Sequence, residues 1–540
     1  MRMPSILLFL TALGPLLLAC VGAAAISQRT ISIDSINRAA IGATLITLCI
    51  ATITAVVVVP GGPAHSPLIG IAGIGFSLYA DRLTAAMFCL VSFIGVIVVT
   101  YSRNYMAGDP AHARFVGMLS LTLSAVLLVI LSGNLFQFSL AWFATSVGLH
   151  RLLVFYPERP AALMAARKKF LASRAGDLCL LLAMALLYRM AGSLEYASIF
   201  RAAHAAGTGG VQAVALLLMV TAMLASAQFP LHGWLIEVME TPTPVSALLH
   251  AGIINAGGFL VLRFSDIIAL SVPALDTLAM VGGFTALFGS AVMLTQTSIK
   301  VSLAYSTIAQ MGFMMLECGL GAFSAALLHI LAHSLYKAHA FLSSGSVIDI
   351  ARGSWTPSIA GKPHPSRLIM AIGGVLLVTF AVSRVFGATL TERPGVFALG
   401  SVLVVSLIHM LASSIDERPN VYVVGRTFLL AAGVAGIYFG LQRLSEIMLA
   451  NTLPATQAVR GPVGVAIVAL VVLSFATVVF LQGIIPRRAS EPKWQALYAH
   501  IANGLYVNTL ANRLVLQFWP NKLSLAATSI VAVPEAGVRS

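Results

Sequence analysis

The sequence predicts an all-α polytopic membrane protein. Three observations predict it. The chain has 540 residues, of which 59% are hydrophobic and 9% charged, whereas a soluble domain carries about 25% charged residues. Its mean hydropathy is +0.95. Apolar runs near the length of about 20 residues that a spanning helix needs recur along it.

Taken in order, the runs predict spans at 5–26, 39–59, 83–101, 115–132 and 135–155. Others follow at 170–188, 211–229, 245–262, 274–294, 301–318 and 322–342, then at 368–386, 396–412, 423–441 and 463–482. That makes about 14–15 transmembrane helices, the last four resting on the weakest pattern. The first run, with Arg2 before it and Leu17-Leu18-Ala19-Cys20 inside it, also has the shape of a signal peptide. Its length and the spans behind it favour a retained helix. After the last span, Trp494, Leu497, Tyr498, Ile501, Leu505, Tyr506, Leu510 and Leu514 recur at helical spacing. Two readings stand open there: a helix in the headgroup layer, or a docking helix for a cytoplasmic partner.

The net charge is +14. In a soluble protein it would suggest nucleic acid. Here the basic residues fall mostly between apolar runs, so loop topology and the lipid bilayer explain them, and no nucleic-acid partner is expected. With all spans crossing, the larger basic set includes Arg103, Arg114, Arg159, Arg167, Lys168, Lys169 and Lys300. The smaller set includes Arg82, Arg189, Arg201 and Arg263. The positive-inside rule then puts the N-terminus outside and the C-terminus in the cytoplasm.

Cys20, Cys49, Cys89, Cys179 and Cys318 are scattered through apolar runs without CxxC spacing. They read as packing residues, not as a metal site or disulfide frame. No GxGxxG or Walker loop stands in the right context. No cofactor is expected, and the chain reads as a transporter subunit, not an enzyme.

One stretch breaks the pattern. From Ala227 to His250 the chain carries Pro230, Pro242 and Pro244 together with His232, Glu237, Glu240 and His250. Helix breakers and ionisable groups at membrane depth are costly unless they face a cavity or another helix. Glu237 and Pro230 therefore predict a gate or switch, with an interfacial cap as the bland alternative.

A second stretch is regular but polar. His329, His333 and Lys337 are spaced four apart and share one helix face, while His339 points elsewhere. Titratable side chains in register inside a membrane helix predict a proton relay. Histidine titrates near neutrality, and a desolvated lysine moves toward it. No acidic ligand shares this face, which argues against a metal. Arg174 and Asp177, three apart, read as an intrahelical ion pair or as a pair that biases a neighbouring proton site. Lys300 opens the tenth span, either as a relay member or as a snorkelling lysine.

Ser226-Ala227-Gln228-Phe229-Pro230-Leu231-His232-Gly233-Trp234-Leu235 and Pro242-Thr243-Pro244-Val245-Ser246-Ala247-Leu248-Leu249-His250-Ala251 resemble the signature of the antiporter-like proton-translocating subunits. That family includes subunits of respiratory complex I and of multisubunit cation/proton antiporters. Asp81-Arg82-Leu83-Thr84, Ser173-Arg174-Ala175-Gly176-Asp177, Ile299-Lys300-Val301-Ser302 and His333-Ser334-Leu335-Tyr336-Lys337-Ala338 agree with it. The resemblance runs from about Phe76 to Ile350 and implies two inverted repeats with broken helices. It implies polar relay or gating sites at Glu237, His250, Lys300, His329, His333 and Lys337; with the residue reading above, Lys337, His333, His329, Lys300 and His250 are expected as the relay and Glu237, Pro230, Asp177 and Arg174 as the gate. It also implies an organisation into N-terminal helices (1–75), a translocation core (76–350), C-terminal helices (351–485) and a cytoplasmic amphipathic tail (486–540).

The chain departs from the family's pattern in three places. Phe143 stands where a glutamate is usual, and Ala225 where a lysine is usual. The late Phe-Ser-Lys-Asp-Glu motif is missing, with Arg384 near its place. The stretch Glu240 to Phe259 reads most like the branch formed by the membrane subunits of two-subunit inorganic carbon pumps. That branch implies a bacterial inner-membrane location. It also implies a zinc-binding cytoplasmic partner related to β-type carbonic anhydrases. A cation/proton antiporter or a complex I subunit is the alternative, and a non-conducting membrane anchor a third.

Overall fold

The computed structural model of the chain describes residues 5–27, 31–344, 421–454, 461–488 and 491–519, with isolated positions between 380 and 407. The first helices are α1 Leu13–Ser27, α2 Ile33–Gly61, α3 Arg82–Tyr105, α4 His112–Leu131 and α5 Leu135–Leu153. Next come α6 Pro160–Ala191, α7 Tyr196–Ala225, α8 Gly233–Glu237, α9 Thr243–Ala251 and α10 Ala256–Arg263. After the four-residue α11 Ser265–Ile268 come α12 Val272–Met293, α13 Ile299–Gly319 and α14 Phe323–Leu342. Helices Val421–Leu449 and Gly461–Arg488 match two of the four late spans. The expected spans 368–386 and 396–412 lie almost wholly outside the described residues.

Nine helices among the described residues are long and apolar enough to cross a membrane. Helix starts are set by short polar side chains. Ser32, Asp81 and Asn134 each accept a backbone N–H three residues on, at 3.3, 2.7 and 2.8 Å. Each satisfies one of the donors that a helix N-terminus leaves free. Apolar packing needs close backbones in a membrane, where lipid is as apolar as leucine. The α12–α13 contact meets this with Gly312, where a Cβ would lie 2.5 Å from the backbone nitrogen of Ala286.

The structure corrects the predicted spans in three ways. The span expected at 170–188 is the end of a 32-residue helix that begins at Pro160. Lys168 and Lys169 are therefore helical residues, not loop charges. The span expected at 245–262 is two pieces, α9 and α10, parted at Gly252. The break is affordable because side chains meet the freed carbonyls. Asn255 donates to the oxygen of Ala251 at 3.2 Å, and Ser226 to that of Ile254 at 3.3 Å. Lastly, the segment between α2 and α3 holds four short strands. Here β1 Ala64–His65 pairs antiparallel with β4 Tyr79–Ala80, and β2 Ile69–Ile71 with β3 Ile74–Phe76.

These strands mark one face of the bundle. The opposite face carries the first turns of α4 and α6 and the last turns of α5 and α12. Two tail helices, Pro492–Ala502 and Val507–Phe518, lie against that face. Tyr498 donates to the Thr295 oxygen at 3.2 Å, and Gln296 to the Ala502 oxygen at 3.0 Å. The tail is thus docked on its own chain, a third arrangement beside the two expected ones.

Candidate functional site

The break in α9–α10 places His250 at the centre of the bundle. His250 is fully buried, and its Nδ1 lies 3.0 Å from Thr307 Oγ1 on α13. Its ring stacks on Phe341 of α14, with centroids 4.2 Å apart. Beside it, Asn255 donates to Ser334 Oγ at 2.8 Å, which ties the break to α14.

The expected stripe on α14 faces the same space. Lys337 is fully buried and donates to the Leu303 oxygen at 3.3 Å. His333 is 5% exposed and lies within electrostatic reach of His329, Lys337 and His250. The His329 and His333 rings are 6.1 Å apart. The eight residue steps from His329 to Lys337 cover about 12 Å of helix axis. His339 is exposed, away from the stripe.

The stripe ends on a carboxylate that sequence reading passed over. Glu317 of α13 is buried, and its Oε2 lies 3.0 Å from His329 Nδ1. No acidic residue of α14 shares this face; the acid comes from the neighbouring helix. One signal could have found it, because Glu317 is the lone acidic residue in the run 299–319. Among the described residues no group of three or more His, Cys, Asp or Glu is placed to hold a metal ion.

The remaining expected residues fall elsewhere. Lys300 is exposed in the first turn of α13, outside the buried cluster. Arg174 pairs with Asp177 at 2.8 Å on α6 and lies over the Phe143 ring at 4.3 Å. Pro230 follows a cis peptide bond from Phe229 in the turn after α7. His232 is buried in an aromatic cage, 4.9 Å from Phe288 and 5.8 Å from Phe229 between ring centroids. Arg384 is an exposed helical position, its guanidinium 5.1 Å from the Phe380 ring.

Glu237 is separate from the central axis and is clamped at the tail face. Its Oε2 pairs with Lys168 at 2.8 Å. Its Oε1 accepts from Asn508 at 3.1 Å and from Asn512 at 2.7 Å, both on the second tail helix. Asn508 also accepts from Lys168 at 2.6 Å. Sequence reading had no means to find this clamp, since its parts lie more than 270 residues apart.

Two family models match the chain. "NADH:quinone oxidoreductase/Mrp antiporter, TM" matches residues 132–360. "NADH-Ubiquinone oxidoreductase (complex I), chain 5 N-terminus" matches residues 69–116. The fold is similar to that in the Mrp complex from a Dietzia species, with TM-score 0.56, 22% identity, and coverage of 98% of this chain and 64% of that one. Among curated proteins, the chain is 40% identical to the probable inorganic carbon transporter subunit DabB2 of Halothiobacillus neapolitanus, over 86% of this chain and 84% of that protein. It is 36% identical to the probable subunit DabB of Hydrogenovibrio crunogenus, over 82% and 83%. With an antiporter-like bundle, a broken helix at its centre and this extent of identity, the chain belongs to the DabB family of inorganic carbon transporter subunits.

Proposed function

We propose that the chain is the proton-conducting membrane subunit of an energy-coupled uptake system for carbon dioxide or bicarbonate. One observation carries this reading: a largely buried line of titratable groups, Glu317, His329, His333, Lys337 and His250, converges on a broken helix. Buried ionisable groups in membrane helices are expensive and mark ion paths by default. Neutral imidazole and ammonium groups pass a proton without moving a heavy atom far. The names of the relatives support inorganic carbon as the cargo. They also support a second subunit, for which a DabA-like, zinc-binding, carbonic-anhydrase-related soluble protein fits. A bacterial inner membrane, with the tail face cytoplasmic, is part of the same proposal.

The energetics are adequate. One elementary charge crossing 100 mV releases about 2.3 kcal/mol. Accumulating a neutral solute tenfold costs about 1.4 kcal/mol. One proton per carbon therefore supports more than tenfold accumulation of carbon dioxide, while bicarbonate entering against a negative interior needs more than one.

Lys337→Ala tests the proposal. It is expected to abolish growth that depends on inorganic carbon uptake while its abundance in the membrane stays at the wild-type level. Wild-type growth of that variant would remove Lys337 from the path. Absence of uncoupler-sensitive proton flux in vesicles containing the wild-type chain would favour a non-conducting anchor.

A further inference from the structure

The central line leaves a second polar cluster unused. Lys169 of α6 donates to Ser173 Oγ, and its Nζ lies 5.9 Å from the Trp234 ring centroid. Its neighbours Lys168 and Arg174 each pair with a carboxylate, but among the described residues no carboxylate lies within ion-pair distance of Lys169. Arg174 donates to Ser146 Oγ at 3.1 Å and pairs with Asp177.

Two cavities meet at this point. An outer one of about 420 Å³ lies toward the tail face, among Arg114, His150, Arg151 and Arg174. An inner one of about 60 Å³ lies deeper, where α3 to α10 converge. Lys169, Ser146 and Ser173 line both. The far wall of the inner cavity is formed by Leu249, Gly252 and Ile254, the segment that breaks beside His250. Lys169 is the titratable side chain in its lining. A water needs roughly 10–15 Å³ of such space and two or more polar partners. The inner cavity therefore has room for a short file of water. Trp234 also lines it, and its buried Nε1 has no acceptor among the described residues.

We propose that Lys169 is a proton-transfer group joining the outer vestibule to the central histidines. In the forward step the neutral amine takes one proton from water in the inner cavity and becomes an ammonium. That water is resupplied with a proton from His250, and the ammonium gives its proton to the vestibule. Only N–H and O–H bonds break and form, and the net result is one proton moved from the central histidines to the tail face.

This inference rests on proton conduction by the chain. Its test is proton flux in membrane vesicles from cells that depend on the full chain for inorganic carbon, comparing wild type, Lys337→Ala, Lys169→Ala and Lys169→Arg. Arginine keeps the charge but does not release its proton. A transfer role predicts at least a tenfold loss of flux in Lys169→Arg at wild-type abundance, as in Lys169→Ala. A structural cation would be rescued by arginine. Wild-type flux in Lys169→Arg with a silent Lys337→Ala overturns the inference and leaves the central line standing. No flux in wild type overturns both. If the arginine variant is poorly inserted, Lys169→His decides: the pH profile of flux should move to lower pH, and an unmoved profile overturns the inference.

Discussion

At the scale of the residue, the informative contacts are those in which one helix supplies a titratable side chain and another supplies its partner. His329, His333 and Lys337 follow from a four-residue spacing that any reader of the sequence can see. Glu317 does not, because it lies on α13 and its meeting with His329 depends on how α13 packs against α14. A charge-assisted hydrogen bond contributes about 1.5–3 kcal/mol. Removing the charge by Glu317→Gln is therefore expected to slow proton transfer by about tenfold or more. Flux in vesicles at matched protein abundance measures this, and an unchanged rate would exclude Glu317 from the line. Lys300 is a motif position in the sequence whose side chain is exposed in the structure.

At the scale of the element, the two breaks differ in how legible they were. Pro230 announced the first. The second, at Gly252, has no proline within it, and its cost is met by Asn255 and Ser226, whose roles depend on tertiary neighbours. The tail helices are the other instance. Their apolar spacing was readable, but their seat was not. Gly233 is the close-approach point: a Cβ there would collide with Asn508 Oδ1. Gly233→Ala is expected to push the Asn508 side chain off Lys168 and Glu237 and so loosen the second tail helix. Limited proteolysis of detergent-purified protein should then cut within 491–519 faster than in wild type. An unchanged cleavage rate would mean that the clamp does not hold the tail.

At the scale of the whole molecule, one ion pair joins distant parts of the chain. Arg263 at the end of α10 binds Asp81 at the start of α3, with Nη1–Oδ2 2.8 Å and Nη2–Oδ1 3.3 Å, and also donates to Thr84 at 2.6 Å. Both residues are buried. Sequence reading had counted Arg263 among loop charges, so it leaves the positive-inside tally, as Lys168 and Lys169 do. Breaking a buried pair by removing one partner costs about 3–5 kcal/mol, because the other charge stays behind. Asp81→Asn is expected to lower the unfolding temperature of the purified protein, with Asp81→Asn plus Arg263→Met less damaging than the single change. A single variant as stable as wild type would remove the pair from the fold's main supports.

The sequence by itself determined the membrane class, the helical architecture, the first broken stretch and the titratable stripe on α14. All of these rest on composition and short-range periodicity, which a chain carries before it folds. The tertiary structure alone decided that Glu317 completes the stripe and that Asn508 and Asn512 clamp Glu237. It likewise decided that Lys169 stands between two cavities and that the α9–α10 break opens beside His250. Each of these depends on side chains from separate helices, and the distances between packed helices are not written in the spacing along any one of them.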